Sequence, residues 1–257
     1  MQLTYHSYLK IEELLSLQEF KSKNEHDEML FIIIHQVYEL WFKEFLHEID
    51  FINAKLKEGD VARAGYKMKR ILTILKVMVH QVDILETMSP LEFLSFRDFL
   101  ESASGFQSWQ FRELEFALGH KSEQHLKRFE DVPAISKRLK QRYYNPGLWE
   151  VFLQFLDNAG YHVSPKKETT IEDNKKNRQA MLVHIYKTNP AIAQFCELLV
   201  DLDEGLQEWR YRHVKMVERT IGAKTGTGGS PGVKYLQKTL FNPLFPDLWE
   251  IRTSFEK

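Results

Sequence analysis

The stretch 191-AIAQFCELLVDLDEGLQEWRYRHVKMVERTI-221 decides the fold. Ile192, Phe195, Cys196, Leu199, Leu202, Leu206, Trp209, His213, Met216 and Val217 recur at steps of one, three and four residues, which places them on one stripe of a long amphipathic helix. His213 lies on that stripe and is expected to face inward, with Arg210, Arg212, Lys215 and Arg219 flanking it. A flat cofactor bearing carboxylates, such as a haem with its propionates, suits that pattern. The wet basic edge of an ordinary long helix suits it too, and spacing leaves both open.

Working outward, the same period recurs. Met68, Ile71, Leu72, Leu75, Met78, Val79, Val82 and Leu85 form a second amphipathic helix that stops near Thr87. Ser89-Pro90-Leu91-Glu92 then supplies a capping serine, a proline at the first helical position and a glutamate three residues after the cap, so a new helix starts there and carries Phe93, Phe96 and Arg97. Ser102 to Gly105 is small and polar, a loop before a helix from about Phe106 to Leu118 that Gly119 is placed to end. From about Asp27 to Asp50, apolar residues occupy two sides, Leu30, Ile33, Val37, Leu40 and Trp41 against Phe31, Tyr38, Phe42 and Phe45, as in a buried helix. Between Gly160 and Gln179 the chain turns strongly polar and predicts a surface connection. No segment alternates as a strand, and no repeat is visible, so the expectation is all-α, one domain over residues 1–257.

Composition narrows the function. Lys plus Arg number 35 against 36 Asp plus Glu, a net charge of −1 that offers nucleic acid or anionic lipid no global attraction. The start has no basic region leading into an apolar stretch, and the longest apolar run is Met29 to Ile34, so neither a signal peptide nor a membrane span is expected. The single cysteine, Cys196, cannot form an internal disulfide, in keeping with a reducing, cytoplasmic setting. Aromatic residues make up 13% of the chain, enough to line an aromatic ligand's pocket or simply to fill a core.

Several chemistries fail on their own requirements. There is no His-Glu-x-x-His, and the one helical Glu-x-x-His, Glu44 to His47, lacks the second copy a di-iron bundle needs. There is no Gly-x-Ser-x-Gly. Gly226-Thr227-Gly228-Gly229-Ser230-Pro231-Gly232 has no strand leading in and holds Pro231 where a dinucleotide fingerprint needs glycine. Such a loop can instead fold its backbone over a ligand, with Thr227 offering a hydroxyl, or serve as a plain connector. His35, between Phe31 and Tyr38, and His213 remain, and either one taken alone reads as a packed core histidine before it reads as a ligand.

Leu3-Thr4-Tyr5-His6-Ser7-Tyr8-Leu9, the run from His26 to Gln36 with Glu39-Leu40-Trp41, Leu85-Glu86-Thr87-Met88, Phe96-Arg97-Asp98, Ser102 to Ser108, Trp209 to His213 and Gly226 to Gly229 together resemble the tryptophan 2,3-dioxygenase family. These blocks leave mainly residues 120–190 uncovered. The resemblance implies an all-α subunit that binds haem b, assembles as a homotetramer and inserts O2 across the indole C2–C3 bond of L-tryptophan to give N-formylkynurenine. It implies His213 as the axial ligand of the haem iron, with Ser104 and Gly105 beside the cofactor, and His35 as the distal histidine that takes the indole N–H. Arg97 is implied to pair with the substrate carboxylate, Thr227 to meet its polar end, and Phe31 to wall the indole pocket with Ser104 nearby. Tyr5, Tyr8 and Leu9 are implied to reach a neighbouring subunit's site from an exchanged arm over residues 1–20. Two departures stand out: Phe93 where some relatives carry tyrosine, and Pro231 where serine is frequent.

Overall fold

Three long helices set the architecture, and they are long because their buried faces never run out. The computed structural model describes residues 2–165, 168–229 and 232–255. Two short helices, α1 (Tyr5–Leu9) and α2 (Ile11–Leu15), precede α3 (Glu28–Lys57), α4 (Val61–Leu85) and α5 (Pro90–Arg97). After a 3-10 turn at Gly105–Gln107 come α6 (Trp109–Ala117), α7 (Glu123–Lys127), α8 (Pro133–Tyr144) and α9 (Leu148–Asn158). The chain closes with α10 (Ile171–Thr188), α11 (Pro190–Ile221), α12 (Val233–Gln237) and α13 (Pro246–Glu250). There is no strand among the described residues, and no helix is long and apolar enough to cross a membrane.

The main core lies where α4 packs against both α3 and α11. Phe45, Ile49, Ile52 and Leu56 from α3 meet Met68, Ile71, Leu75 and Met78 from α4 and Phe195, Leu199, Leu202 and Leu206 from α11, all of them buried. Each such side chain stabilises the fold by about 1.5–3 kcal/mol on burial. Gly205 sits inside α11 despite a helix cost of about 1 kcal/mol. The neighbour explains it, since a Cβ at Gly205 would come within 2.8 Å of the Leu75 Cδ2 and hold α4 off.

Local signals place the ends. Ser89 Oγ accepts from the Glu92 N–H at 3.3 Å while Glu92 Oε2 accepts from the Ser89 N–H at 2.6 Å, a reciprocal cap that starts α5 where the sequence predicts it. α3 runs past Asp50 to Lys57 because Ile52 and Leu56 continue its buried face. The helix expected from Phe106 is divided: Ser108 accepts from the Phe111 N–H at 3.1 Å and restarts the chain as α6 after the 3-10 turn.

The polar stretch from Gly160 is a loop only to Thr170, whose side chain caps α10. Its second half is the exposed start of that helix, pinned by Arg178 to Asp247 at 2.7 Å and by Lys175 to Glu250 at 2.7 Å. Polar composition hid a helix there because ion pairs to α13, and not an apolar stripe, hold it down. Buried Asp203 of α11 fixes the same C-terminal region by accepting from the Leu244 and Phe245 amides and from Trp249 Nε1.

Candidate active site

A second, smaller cluster of buried residues, including Ile34, Val82, Leu85, Phe93, Phe96 and Met216, caps one end of the bundle. Beside it opens a cavity of about 280 Å³, lined by side chains from α3, α4, α5, α6 and α11 and by the glycine-rich loop. Phe31, His35, Arg97, Ser104, Gly105, His213 and Thr227 all line this one space, although their positions span most of the chain.

His35 is held by its own helix: its Nδ1 donates to the Phe31 carbonyl, one turn earlier, at 2.7 Å. A carbonyl can only accept, so the hydrogen is on Nδ1 and the neutral ring keeps a lone pair on Nε2. Burial pushes the His35 pKa below its ordinary value, opposed in part by the hydrogen bond to the Phe31 carbonyl and then by Glu39. Phe31 packs 4.1 Å from the His35 ring and within 5.9 Å of Phe93 and 5.5 Å of Phe96, so Phe31 and Phe93 wall the space with Phe96 buried behind them.

His213 approaches from α11 and stacks on Trp209, with centroids 5.5 Å apart and planes 13° from parallel. Burial, with a contribution from His35, pushes its pKa down to about 4, which leaves a neutral imidazole. It makes no side-chain hydrogen bond among the described residues, so its ring nitrogens are uncommitted. A half-buried neutral imidazole with both ring nitrogens free is chemically able to coordinate a metal.

Arg97 ends α5 and donates from Nη2 to the Thr225 carbonyl at 2.7 Å. Among the described residues it pairs with no carboxylate, and most of its planar fork is left for another anion. Thr227 Oγ1 donates its hydrogen to the Ala103 carbonyl at 2.6 Å, so toward the cavity it presents lone pairs. Ser104 Oγ accepts from the Phe106 N–H at 3.3 Å, and a Cβ on Gly105 would meet no protein atom within 4 Å.

Some sequence expectations fare differently. Of the four basic residues around His213, three point away from the cavity: Arg212 pairs with Asp83 and Glu86, Arg219 pairs with Glu86 at 2.8 Å, and Lys215 pairs with Glu218 at 2.8 Å, while Arg210 lines the cavity. Those three are the salt-bridged outer edge of α11 and not a cradle for a cofactor's carboxylates, because Asp83, Glu86 and Glu218 supply matching anions. Tyr5, Tyr8 and Leu9 do not line this subunit's cavity: α1 buries nothing, and they are 74%, 69% and 42% exposed. Pro231 lies outside the described residues.

What the sequence did not single out is the pair Arg112 and Glu115, which joins Arg210 in the cavity wall. Arg112 Nη1 meets Glu115 Oε2 at 2.5 Å and Arg210 Nη2 meets Glu115 Oε1 at 3.3 Å, all three buried, so two guanidinium groups share one carboxylate. Arg112 Nε is buried without a partner. The available signal was Arg112 and Glu115 one turn apart and set between Phe111 and Phe116.

A family model described as tryptophan 2,3-dioxygenase matches residues 1–140 and 130–255 of this sequence. The chain belongs to the tryptophan 2,3-dioxygenase family. A tryptophan 2,3-dioxygenase of Herpetosiphon aurantiacus is 55% identical, covering 97% of this chain and 97% of its own. Those of Anaeromyxobacter sp. strain K and Bacillus anthracis are 49% and 39% identical over 97% and 98% of this chain and 95% and 92% of their own. Membership in the tryptophan 2,3-dioxygenase family thus spans nearly the full length, including residues 120–190, where no local motif is recognisable.

Proposed function

We propose that this chain is a haem-dependent enzyme that oxidises L-tryptophan with O2 to N-formylkynurenine, with the cavity at the end of the bundle as its active site. The observation that carries this reading is the convergence, in one aromatic-walled space, of two neutral histidines and an arginine with no carboxylate partner among the described residues.

The cavity's donors suit haem better than a bare ion. Among the described residues no three His, Cys, Asp or Glu gather to hold a bare metal, whereas a haem, which would bring most of its iron's ligands with it, would need only the one imidazole that His213 could supply. Gly105, which also lines the cavity, leaves open space there. Arg112 and Arg210, with only Glu115 between them, leave an excess of positive charge facing the cavity that suits propionates. Bound there, ferrous haem b supplies O2 binding and activation.

The protein's own part is to place tryptophan. His35 Nε2 accepts the indole N–H, which fixes the ring's rotation, while Phe31 and Phe93, packed against each other, form one apolar wall beside it. The Arg97 fork takes the carboxylate. Thr227, its hydrogen spent on Ala103, takes an ammonium N–H on its lone pairs. With the amino-acid end fixed, only the C2–C3 edge of the indole is presented to O2, and orientation of that kind accounts for much of a rate enhancement. Phe93 offers no hydroxyl, so the carboxylate relies on Arg97 more heavily than in relatives with tyrosine there. Both oxygen atoms enter the product as the C2–C3 bond breaks, so no external reductant is consumed.

The exposed α1 then serves a neighbour: in a homotetramer, Tyr5, Tyr8 and Leu9 of one subunit close the cavity of the next and exclude water. Mixing the reduced, haem-loaded protein with L-tryptophan and O2 should give N-formylkynurenine, and His213→Ala should lose the haem absorption together with turnover. Normal haem binding and full activity in that variant would refute the axial role.

A further inference from the structure

The glycine-rich loop approaches the 97–104 segment at three places. The Thr225 carbonyl accepts from Arg97, Thr227 Oγ1 donates to the Ala103 carbonyl, and Gly228 lies against Ser104. The last contact is the closest. A Cβ at Gly228 would lie 2.7 Å from the Ser104 Cβ and 3.1 Å from its Oγ, with the Ser102 carbonyl oxygen 3.6 Å away. A carbon–carbon approach of 2.7 Å is well inside the optimal separation of about 3.5–4.0 Å, so one of the two segments would have to move.

Gly228 is not there for its backbone. Its φ is not among the positive ones, unlike those of Gly229 at 71° and Gly232 at 63°, so an alanine would meet no conformational penalty and only the missing space. Ser104 cannot easily give way, since its own backbone is extended and its hydroxyl caps the 3-10 turn at Gly105–Gln107. The neighbouring residue is the one whose hydroxyl faces the cavity, so any lift of the loop at 228 is felt at Thr227.

We propose that Gly228 is a positioning residue for tryptophan binding: the absence of a side chain seats the 225–228 segment on Ser104, and that seat holds the Thr227 hydroxyl over the cavity. The proposal rests on the function assigned above. It makes the glycine a requirement of fit between two named segments and separates it from the loop's other glycines.

The test compares wild type, Gly228→Ala, Ser104→Gly, Ser104→Ala and the two double variants as haem-loaded proteins. Gly228→Ala should raise KM for L-tryptophan about tenfold, the worth of one hydrogen bond, with kcat changed less than about threefold and the haem absorption unaltered. Trypsin should cut after Lys224, an exposed residue at the loop's base, about tenfold faster in that variant without substrate or turnover. Ser104 has its own place in the site, so the effect of Gly228→Ala is taken relative to each Ser104 background. It should nearly vanish with Ser104→Gly, which removes the colliding carbon, and persist with Ser104→Ala, which keeps it.

Equal effects in all three backgrounds, or a Gly228→Ala variant matching wild type in both KM and cutting, would overturn the proposal. If Gly228→Ala does not fold, recovery of folding by Ser104→Gly supports the same contact and failure to recover overturns it. A wild type that never oxidises tryptophan, while cutting after Lys224 still depends on Ser104 as described, would count against the assigned function and leave the seat standing.

Discussion

Replacing Arg97 by alanine separates substrate anchoring from everything else in the site. The guanidinium makes one described hydrogen bond, to the Thr225 carbonyl, and no ion pair, so the folded protein should lose only about 1 kcal/mol of stability. A substrate carboxylate held by the remaining fork is a different matter. Hydrogen bonds to charged groups are worth about 1.5–3 kcal/mol each, and truncating one side of a desolvated charge pair costs about 2–5 kcal/mol. At 1.36 kcal/mol per decade, kcat/KM for L-tryptophan should fall by about 10²–10³-fold, mostly through KM. Arg97→Lys keeps the charge but not the fork and should fall between the two. Steady-state kinetics under air, with haem content and melting temperature measured on the same samples, reads all three terms. A KM within threefold of wild type in a haem-replete Arg97→Ala protein would refute the assignment, and a collapse of stability would show that the side chain's task is structural.

Three further outcomes are expected. Burial lowers the His35 pKa, so turnover should be flat above its ordinary value of 6.5 and fall only on the acid side of it, with Glu39 and His213 as the titratable neighbours; a profile with no acid limb would count against the base-accepting role. His125, outside the cavity, has its pKa pushed to about 4 by burial and by Arg112 and Arg128. The unfolded chain therefore takes up that proton first as pH falls below 6.5, and stability drops until about pH 4, by roughly 3 kcal/mol at 1.36 kcal/mol per pH unit; urea unfolding of His125→Gln should show that part of the slope removed. Deleting residues 2–20 removes α1 and α2, which bury nothing, so helicity and melting should be retained while turnover is lost; full activity of the truncated protein would exclude the shared-site arrangement.

The elements legible in the sequence are those specified by contacts within a few residues. The period of α11 and α4, the Ser89 to Glu92 cap and the turn at Gly119 need only local geometry, and they stand where the pattern puts them. The inward direction of His35 and His213 follows from the same periodicity. By contrast, the fate of a charge depends on what stands opposite it. Arg212 and Arg219 look like a cofactor's anchors until α4 is laid beside α11 and Asp83 and Glu86 take them up. Arg112 and Glu115 look like an ordinary pair one turn apart until Arg210 arrives from α11 to share the carboxylate.

The sequence by itself determined that the protein is helical, that two histidines face inward, and to which family it belongs, because periodicity, caps and motif blocks are properties of neighbouring residues. Only the tertiary structure decided which cations remain available, that Arg97 faces the cavity with no carboxylate among the described residues to neutralise it, and that Gly228 has no room for a side chain. Those are facts of juxtaposition between segments more than 120 residues apart, as with Arg97 and Thr225. Electrostatic pairing and excluded volume act through space, so no local pattern in the chain encodes them.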